Sequence, residues 1–419
     1  MAGCLPSPGL GSPLRVKFAI APRKSIDSQL ADLRSRSLLR RLREIESQRK
    51  AVITVKGREL VNFSSNDYLG FAGEPALAEA AKRAIDEFGV GSGASRLVCG
   101  TFPPHAALER RLAEFKGTEA ALTFSSGYAA ALGAIGAVAG KEDVIILDKL
   151  CHASLVDGAR LSGALLRVFP HNHLGKLESH LAWARKNEPG ARVLVATESV
   201  FSMDGDRAPL RGIVELTERY EALLLLDEAH AVGVIGEHGR GLAHEEGVAV
   251  DIQMGTLSKA LGGSGGYICA KRNLIDLLIN RARSFIYSTA PPPAVAAAAV
   301  AAIDLLASEA GEERRRKLWG GLDQLAGSVP HSFLPNGPPA SAIVPIPIGS
   351  EETALAAARW LFEKGLFVPA IRYPTVARGT ARLRVTLSAN HTPEQIGMLC
   401  EALESMDRKL AAHGIEIPS

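Results

Sequence analysis

Between Ala120 and Ala270, short β-branched or leucine-rich runs alternate with helical patterns, and nothing else in the chain limits its possible folds so much. The runs cover 120–124, 144–147, 193–197, 223–226 and 252–255. Continuous apolar runs of this length, separated by helices, predict a mostly parallel sheet covered on both faces. Each run is followed by residues that can do chemistry. Ser125-Ser126-Gly127-Tyr128 follows the first, Asp148 and His152 the second, Glu198 to Ser202 the third, Asp227 and His230 the fourth, Thr256 and Lys259 the last. Open α/β sheets bind ligands at the carboxyl ends of their strands, so these ends are expected to share one site.

Lys259 stands in Thr256-Leu257-Ser258-Lys259-Ala260-Leu261-Gly262-Gly263-Ser264-Gly265-Gly266, just before the strand-like Tyr267-Ile268-Cys269-Ala270. A lysine needed only for solubility belongs on a polar helix face, whereas small residues let a flat ligand approach the backbone. Two readings follow. Lys259 is a Schiff-base lysine kept partly deprotonated by desolvation and a nearby cation, or a surface lysine in a flexible loop.

The 419 residues, 47% hydrophobic and 22% charged, are enough for a large and a smaller domain. We expect an extension and helical arm over 1–60, a large domain over 61–293 and a small α+β domain over 294–419. A formal charge of +3 without long charged blocks gives no reason to expect nucleic acid or a membrane surface as partner. Cys4, Cys99, Cys151, Cys269 and Cys400 lack C-x-x-C spacing, which points away from zinc and disulfides and towards a reducing cytoplasm. Residues 1–24 have no continuous apolar stretch and read as a disordered extension without a secretory signal. From 25 to about 48, Ile26, Leu30, Leu33, Leu42 and Ile45 recur at helical spacing among arginines, predicting an amphipathic basic helix. Strands are expected at 51–55, 59–63, 343–348 and 382–387. Pro291-Pro292-Pro293 predicts a stiff turn before an alanine-rich helix, which Asp304 interrupts and which is too short to span a bilayer. The mixed-sign run 312–317 reads as a solvated helix face.

Ser126-Gly127-Tyr128 joins a strand to a helix start, where free N–H groups bind phosphate and Gly127 admits its oxygens. Thr256 can add a hydroxyl to the same group. Asp227-Glu228-Ala229-His230 admits three readings. A helicase box needs the loop G-x-x-x-x-G-K-[ST], which the sequence lacks. A metal site would draw on Asp227, His230 and His152, but no compact ligand motif supports it. In a cofactor site, Asp227 would pair with a pyridinium nitrogen and keep it protonated, His230 would bond the ring's phenolic oxygen, and His152 would lie over the ring face.

Taken together, Asn66-Asp67-Tyr68-Leu69-Gly70, Ser126-Gly127-Tyr128, His152-Ala153-Ser154-Leu155, Val200-Phe201-Ser202-Met203-Asp204-Gly205-Asp206, Asp227-x-Ala229-His230, Thr256-Leu257-Ser258-Lys259-Ala260 and Arg382-Leu383-Arg384 closely resemble the α-oxoamine synthases. The match runs in the family's order from about Arg40 onwards. The resemblance implies a pyridoxal 5'-phosphate (PLP) enzyme of fold type I, the aspartate-aminotransferase-like α/β fold, with a mostly parallel central sheet and a smaller C-terminal α+β domain. It implies that Lys259 carries the cofactor, with Asp227 on the ring nitrogen, His230 and Ser202 near the phenolic oxygen and His152 stacked. Ser126, Gly127, Tyr128 and Thr256 would hold the phosphate, with Thr289 from the partner subunit of a homodimer. Arg384 or Arg382 would clamp the amino-acid carboxylate by a fork that lysine cannot supply. Asn66 and Thr375 would face substrate, and Arg40 would reach a distal carboxylate.

Finer motifs, 150–158 and 283–290, point to the member that condenses L-alanine with pimeloyl-CoA or pimeloyl-acyl carrier protein. Glycine C-acetyltransferase is the nearest alternative, ahead of an aminotransferase and of a non-catalytic subunit. Two positions depart from the family pattern: Ser199, often glycine, and Glu228, often aspartate. Neither is expected to touch the cofactor.

Overall fold

Alternate residues of each central strand enter two separate apolar clusters, one on either face of a seven-stranded sheet. The computed structural model describes residues 25–335 and 337–412. The strands are β1 (Ala120–Phe124), β2 (Val144–Asp148), β3 (Leu165–Phe169), β4 (Val193–Glu198), β5 (Leu223–Asp227), β6 (Ile252–Thr256) and β7 (Gly266–Ala270). Their order is β1-β7-β6-β5-β4-β2-β3. Neighbours from β6 to β3 are parallel, and β7 runs antiparallel between β1 and β6.

Val144, Ile146, Val193 and Val195 face helices Pro103–Lys116, Leu174–Asn187 and Leu210–Arg219, which add Leu108, Leu112, Leu177, Leu181 and Ile213. Ile145, Leu147, Leu194 and Ala196 share the opposite cluster with Ala130, Ala134, Leu155 and Leu278 from helices Gly127–Val138, Ala153–Ser162 and Arg272–Arg281. A strand covered on both faces must be apolar at every position, which explains the unbroken runs. Each fully buried branched side chain contributes about 1.5–3 kcal/mol.

The fold-class expectation holds. The edge strand β3 was not expected, and its half-exposed sequence explains why: Leu165 and Val168 are exposed, and Arg167 interrupts the run. Two smaller sheets complete the architecture. Val52–Val55 and Arg58–Asn62 pair as a hairpin, with Ser47–Arg49 on one side and Leu366–Phe367 on the other. Ile343–Gly349, Ala381–Thr386 and Ala370–Ile371 form the third sheet. No single helix among the described residues is long and apolar enough to cross a membrane.

The described residues fall into two units, one ending at Leu42 and one beginning at Arg43. In the first, the expected helix over 25–48 spans only Ile26–Ser35. A Schellman closure ends it: Leu38 N donates to Leu33 O, Ser37 N to Arg34 O, and Ser37 adopts φ 55°. Glycine normally signals that turn, and serine hid it. The run 312–317 also needs correction. Arg315 on helix Glu309–Ser328 is buried, donating to Leu306 O at 3.0 Å and to the Glu312 carboxylate.

Lys116 and Glu228 form a fully buried ion pair beneath the carboxyl end of β5. Lys116 also donates to Arg240 O, and Glu228 accepts from Ala243 N. Removing one partner strands a buried charge. Lys116→Met is therefore expected to cost about 3–5 kcal/mol in urea unfolding; a loss below about 1 kcal/mol would contradict this.

Candidate active site

Three acids end neighbouring strands: Asp148 on β2, Glu198 on β4 and Asp227 on β5. All three are buried. Asp148 Oδ1 accepts from Leu150 N at 2.8 Å and so shapes the turn that delivers His152. Glu198 Oε1 accepts from His152 N at 2.5 Å. Asp227 Oδ1 accepts from Ala229 N at 2.9 Å, and Ser199 donates its N–H to Asp227 O.

The turn after β6 brings Lys259 to this row, with Nζ 2.7 Å from His230 Nε2. Desolvation lowers the Lys259 pKa to about 8, against the opposing pull of Asp227 and Glu198 and with help from Arg384. A sizeable fraction of the amine is therefore neutral and nucleophilic near pH 8, where an exposed lysine is almost wholly charged. Burial raises the pKa of Asp227, opposed mainly by Lys259. It also drives His230 well below its ordinary value, with Lys259 and Arg384 adding to the effect.

Behind His230 lies Tyr68, fully buried, its hydroxyl 2.5 Å from His230 Nδ1 and 3.3 Å from Asn66 Oδ1. Burial pushes that hydroxyl up to about 12, so it remains a proton donor. Arg384 NH1 donates to the same Asn66 oxygen at 3.1 Å, and Arg384 Nε to Ser202 O at 2.6 Å. A continuous chain of contacts thus joins Arg384, Asn66, Tyr68, His230 and Lys259. Arg382 is committed elsewhere, donating to Asp204 Oδ1 at 2.6 Å and to Met203 O.

The turn after β1 supplies a different surface. Ser126 caps helix Gly127–Val138, its Oγ accepting from Ala129 N at 3.0 Å. The first N–H groups of any helix lack partners within it and suit an anion. A Cβ on Gly127 would come within 3.5 Å of Thr256 Cβ, so this helix start and Thr256 line one space. A Cβ on Gly266 would strike Ser126 O at 2.4 Å, so only glycine lets β7 begin against this turn. Thr256 Oγ1 donates to Gly265 O at 2.8 Å and accepts from Ser258 N. The Tyr128 hydroxyl donates to Asp157.

His152 Nδ1 is 2.8 Å from Ser154 Oγ and accepts from Ser154 N at 3.2 Å, which fixes the ring's rotation. Thr289 lines a small cavity with Ser125, Arg96 and Phe285 of its own chain. Thr375 lies in an exposed loop after the cis Tyr373–Pro374 bond. Arg40 belongs to the unit that ends at Leu42. Among the described residues, no three His, Cys, Asp or Glu side chains converge to hold a metal. Ser199 Oγ donates to Asp227 O, whereas the Glu228 carboxylate accepts from Ala243 N and pairs with Lys116.

A buried acid, a lysine of lowered pKa and a helix start beside a threonine form the donor set that a phosphorylated pyridine aldehyde requires. The profile of the family Aminotransferase class I and II matches residues 58–403. The chain belongs to this family. Relatives carrying the name 8-amino-7-oxononanoate synthase include those of Geobacter sulfurreducens, 47% identical over 92% of this chain and 99% of the relative, and Anaeromyxobacter sp. (strain Fw109-5), 48% identical over 93% and 98%. Among solved structures, the Sphingomonas wittichii serine palmitoyltransferase matches with TM-score 0.84 at 34% identity, covering 94% of this chain and 98% of that one. The 8-amino-7-oxononanoate synthase of Francisella tularensis matches with TM-score 0.71 at 28% identity, covering 85% and 99%. These are α-oxoamine synthases, as the motifs imply, and other solved neighbours carry PLP. PLP is the cofactor of this family member.

The sequence reading gave no role to Tyr68, Glu198, Ser154 or His171. Tyr68 lies inside the motif Asn66-Asp67-Tyr68-Leu69-Gly70 and Glu198 at a strand end, so position pointed to both, but neither residue type announces a task.

Proposed function

We propose that this chain is an 8-amino-7-oxononanoate synthase, an acyltransferase of biotin biosynthesis that condenses L-alanine with a pimeloyl thioester. The products are 8-amino-7-oxononanoate, carbon dioxide and the free thiol of CoA or of an acyl carrier protein. The observation that carries the reading is the Lys259 amine, its pKa lowered to about 8 by desolvation and its Nζ 2.7 Å from His230 Nε2, in a chain close to half identical to synthases of that name.

PLP, when bound, supplies an electron-poor ring that takes up the charge left when a bond to the amino acid's α-carbon breaks. The protein's part is to choose the bond and move the proton. Lys259 is proposed to hold the cofactor, then to take the α-proton of alanine on Nζ and later return one. Asp227 would keep a proton on the ring nitrogen, His230 and Ser202 would serve the phenolic oxygen, and His152 would cover the ring. Ser126, Gly127, Tyr128 and Thr256 hold the phosphate, with Thr289 given to the partner of a homodimer. Arg384 is the proposed carboxylate clamp, because its chain of contacts ends on Lys259, whereas Arg382 braces the 203–204 backbone. Fixing the carboxylate would fix which bond to the α-carbon is activated. Asn66 and Thr375 are assigned to substrate, and Arg40 to the distal carboxylate of the pimeloyl chain.

The reading keeps 61–293 as the cofactor domain, 294–419 as the small domain and 1–60 as extension and arm. Free cysteines at 99, 151, 269 and 400 suit a reducing cytoplasm. The test compares L-alanine plus pimeloyl thioester with glycine plus acetyl-CoA. The first pair is expected to turn over faster by at least about a hundredfold in kcat/KM, about 2.7 kcal/mol of transition-state discrimination. Faster turnover of the second pair would reassign the enzyme to glycine C-acetyltransferase.

A further inference from the structure

We infer that His171, which the reaction does not use directly, is a positioning residue that ties the loop delivering His152 to the loop that anchors Arg384, and so sets amino-acid affinity. The inference rests on the proposed function for its substrate, but the tether itself is visible in the geometry. His171 follows β3, and its two ring nitrogens face two carboxylates: Nδ1 lies 3.1 Å from Asp148 Oδ1, and Nε2 lies 2.8 Å from Asp206 Oδ2. Both contacts require a donor, so the ring carries both protons and its positive charge bridges the acids. Burial alone would lower its pKa, but the hydrogen bonds to Asp148 and Asp206 outweigh it and push it up to about 10. The bridge is thus charged at neutral pH.

Each end of the bridge is built into a functional loop. The Asp148 side chain has no solvent exposure and accepts Leu150 N through Oδ1 and Asn172 N, at 2.7 Å, through Oδ2. It therefore fixes the turn 148–152. Asp206 closes the turn 201–206, in which Phe201 N donates to Asp206 O and Gly205 N to Phe201 O. That turn presents Ser202 O to Arg384 and Met203 O with Asp204 to Arg382.

The neighbouring residues reinforce the tether. The His171 ring stands edge-on to Phe201, with centroids 4.3 Å apart at 86°. Asn172 holds a left-handed φ of 54° while its Nδ2 donates to Asp206 Oδ2 and Arg207 O at 3.1 Å. Asparagine tolerates that conformation better than most residues, but it is still unfavourable, so these contacts must hold it. Without the imidazolium, two carboxylates would face each other across the gap with only Asn172 between them. Repulsion would open the 201–206 turn and release the backbone oxygens that aim both arginines.

The test uses PLP-loaded wild type, His171→Phe and Asp206→Asn. Phenylalanine keeps the edge contact with Phe201 and removes both donors. Backbone hydrogen exchange over 149–152 and 201–206 is expected to speed up by about tenfold in His171→Phe, a local loosening of a loop tether. KM for L-alanine is expected to rise about tenfold, with kcat and the thioester KM within about threefold, because the loss falls on amino-acid binding. Asp206→Asn keeps the Asp148 contact and should fold even if His171→Phe does not. It is expected to shift the same two quantities in the same direction by about threefold.

Unchanged exchange and unchanged alanine KM in Asp206→Asn and in any folded His171→Phe would overturn the inference. So would a uniform fall in kcat with both KM values fixed. If the wild type itself failed to condense alanine, the proposed function would fall, and the exchange measurement would still judge the tether.

Discussion

Lys259→Ala is expected to lower kcat for alanine and pimeloyl thioester by at least about a thousandfold, the range that loss of a positioned base removes. No other described amine touches His230 Nε2 at the row of strand-end acids. The variant is expected to keep its fold. The folded state lowers the Lys259 pKa to about 8, so below that pH the charged amine opposes folding. The opposition is full at pH 7 and fades as pH rises through 8 towards the ordinary lysine value. Removing the side chain should therefore leave the thermal midpoint at pH 7 unchanged or higher. A variant retaining more than about a tenth of wild-type kcat would remove Lys259 from the chemistry and revive the reading of a surface lysine in a loop.

Asp227→Asn is expected to cost about a hundred- to a thousandfold in kcat, on the scale of one preorganised electrostatic group in a dry site. The amide oxygen can still accept from Ala229 N, so the β5 terminus should survive. What disappears is the negative charge proposed to keep a ring nitrogen protonated. A second reading comes from Lys259. Asp227 leads the effects that raise the Lys259 pKa against desolvation, so the asparagine variant should move that titration below about 8. A variant that kept its kcat, or whose Lys259 titration moved upward, would contradict the role given to Asp227.

How much of this was legible depended on whether a residue's environment repeats along the chain. Strands such as 120–124 sit between two helical layers, and their unbroken apolar sequence could be read directly. Strand β3 lies at the sheet edge with Arg167 in its middle, so only its pairing with β2 reveals it. The arm helix ends at a serine in a turn that glycine usually marks, and the periodic Leu42 and Ile45 beyond it carried the expected helix too far. Arg315 looked solvated because burial of a guanidinium depends on carbonyls that fold back from elsewhere, here Leu306 O.

The site divides in the same way. Lys259, Asp227 and His230 could be read because strand ends concentrate chemistry and their residue types declare it. Tyr68 and His171 could not, because each acts through a partner far along the chain, Tyr68 on His230 and His171 on Asp206. Arg382 and Arg384 lie on one strand, so residue type could not separate them, and the proposal of Arg384 as the clamp rests on its reach to Asn66.

Every proposed step needs a covalent bond between PLP and the amine of Lys259, formed by a neutral amine. The direct measurement incubates the apoprotein with PLP across pH 6 to 11, traps the product with borohydride and maps the modified peptide by mass. One phosphopyridoxyl group on Lys259 is expected, with the rate of trapping rising through a midpoint near the pKa of about 8. Label on another lysine, no label, or a midpoint at the ordinary lysine value of about 10.4 would contradict it.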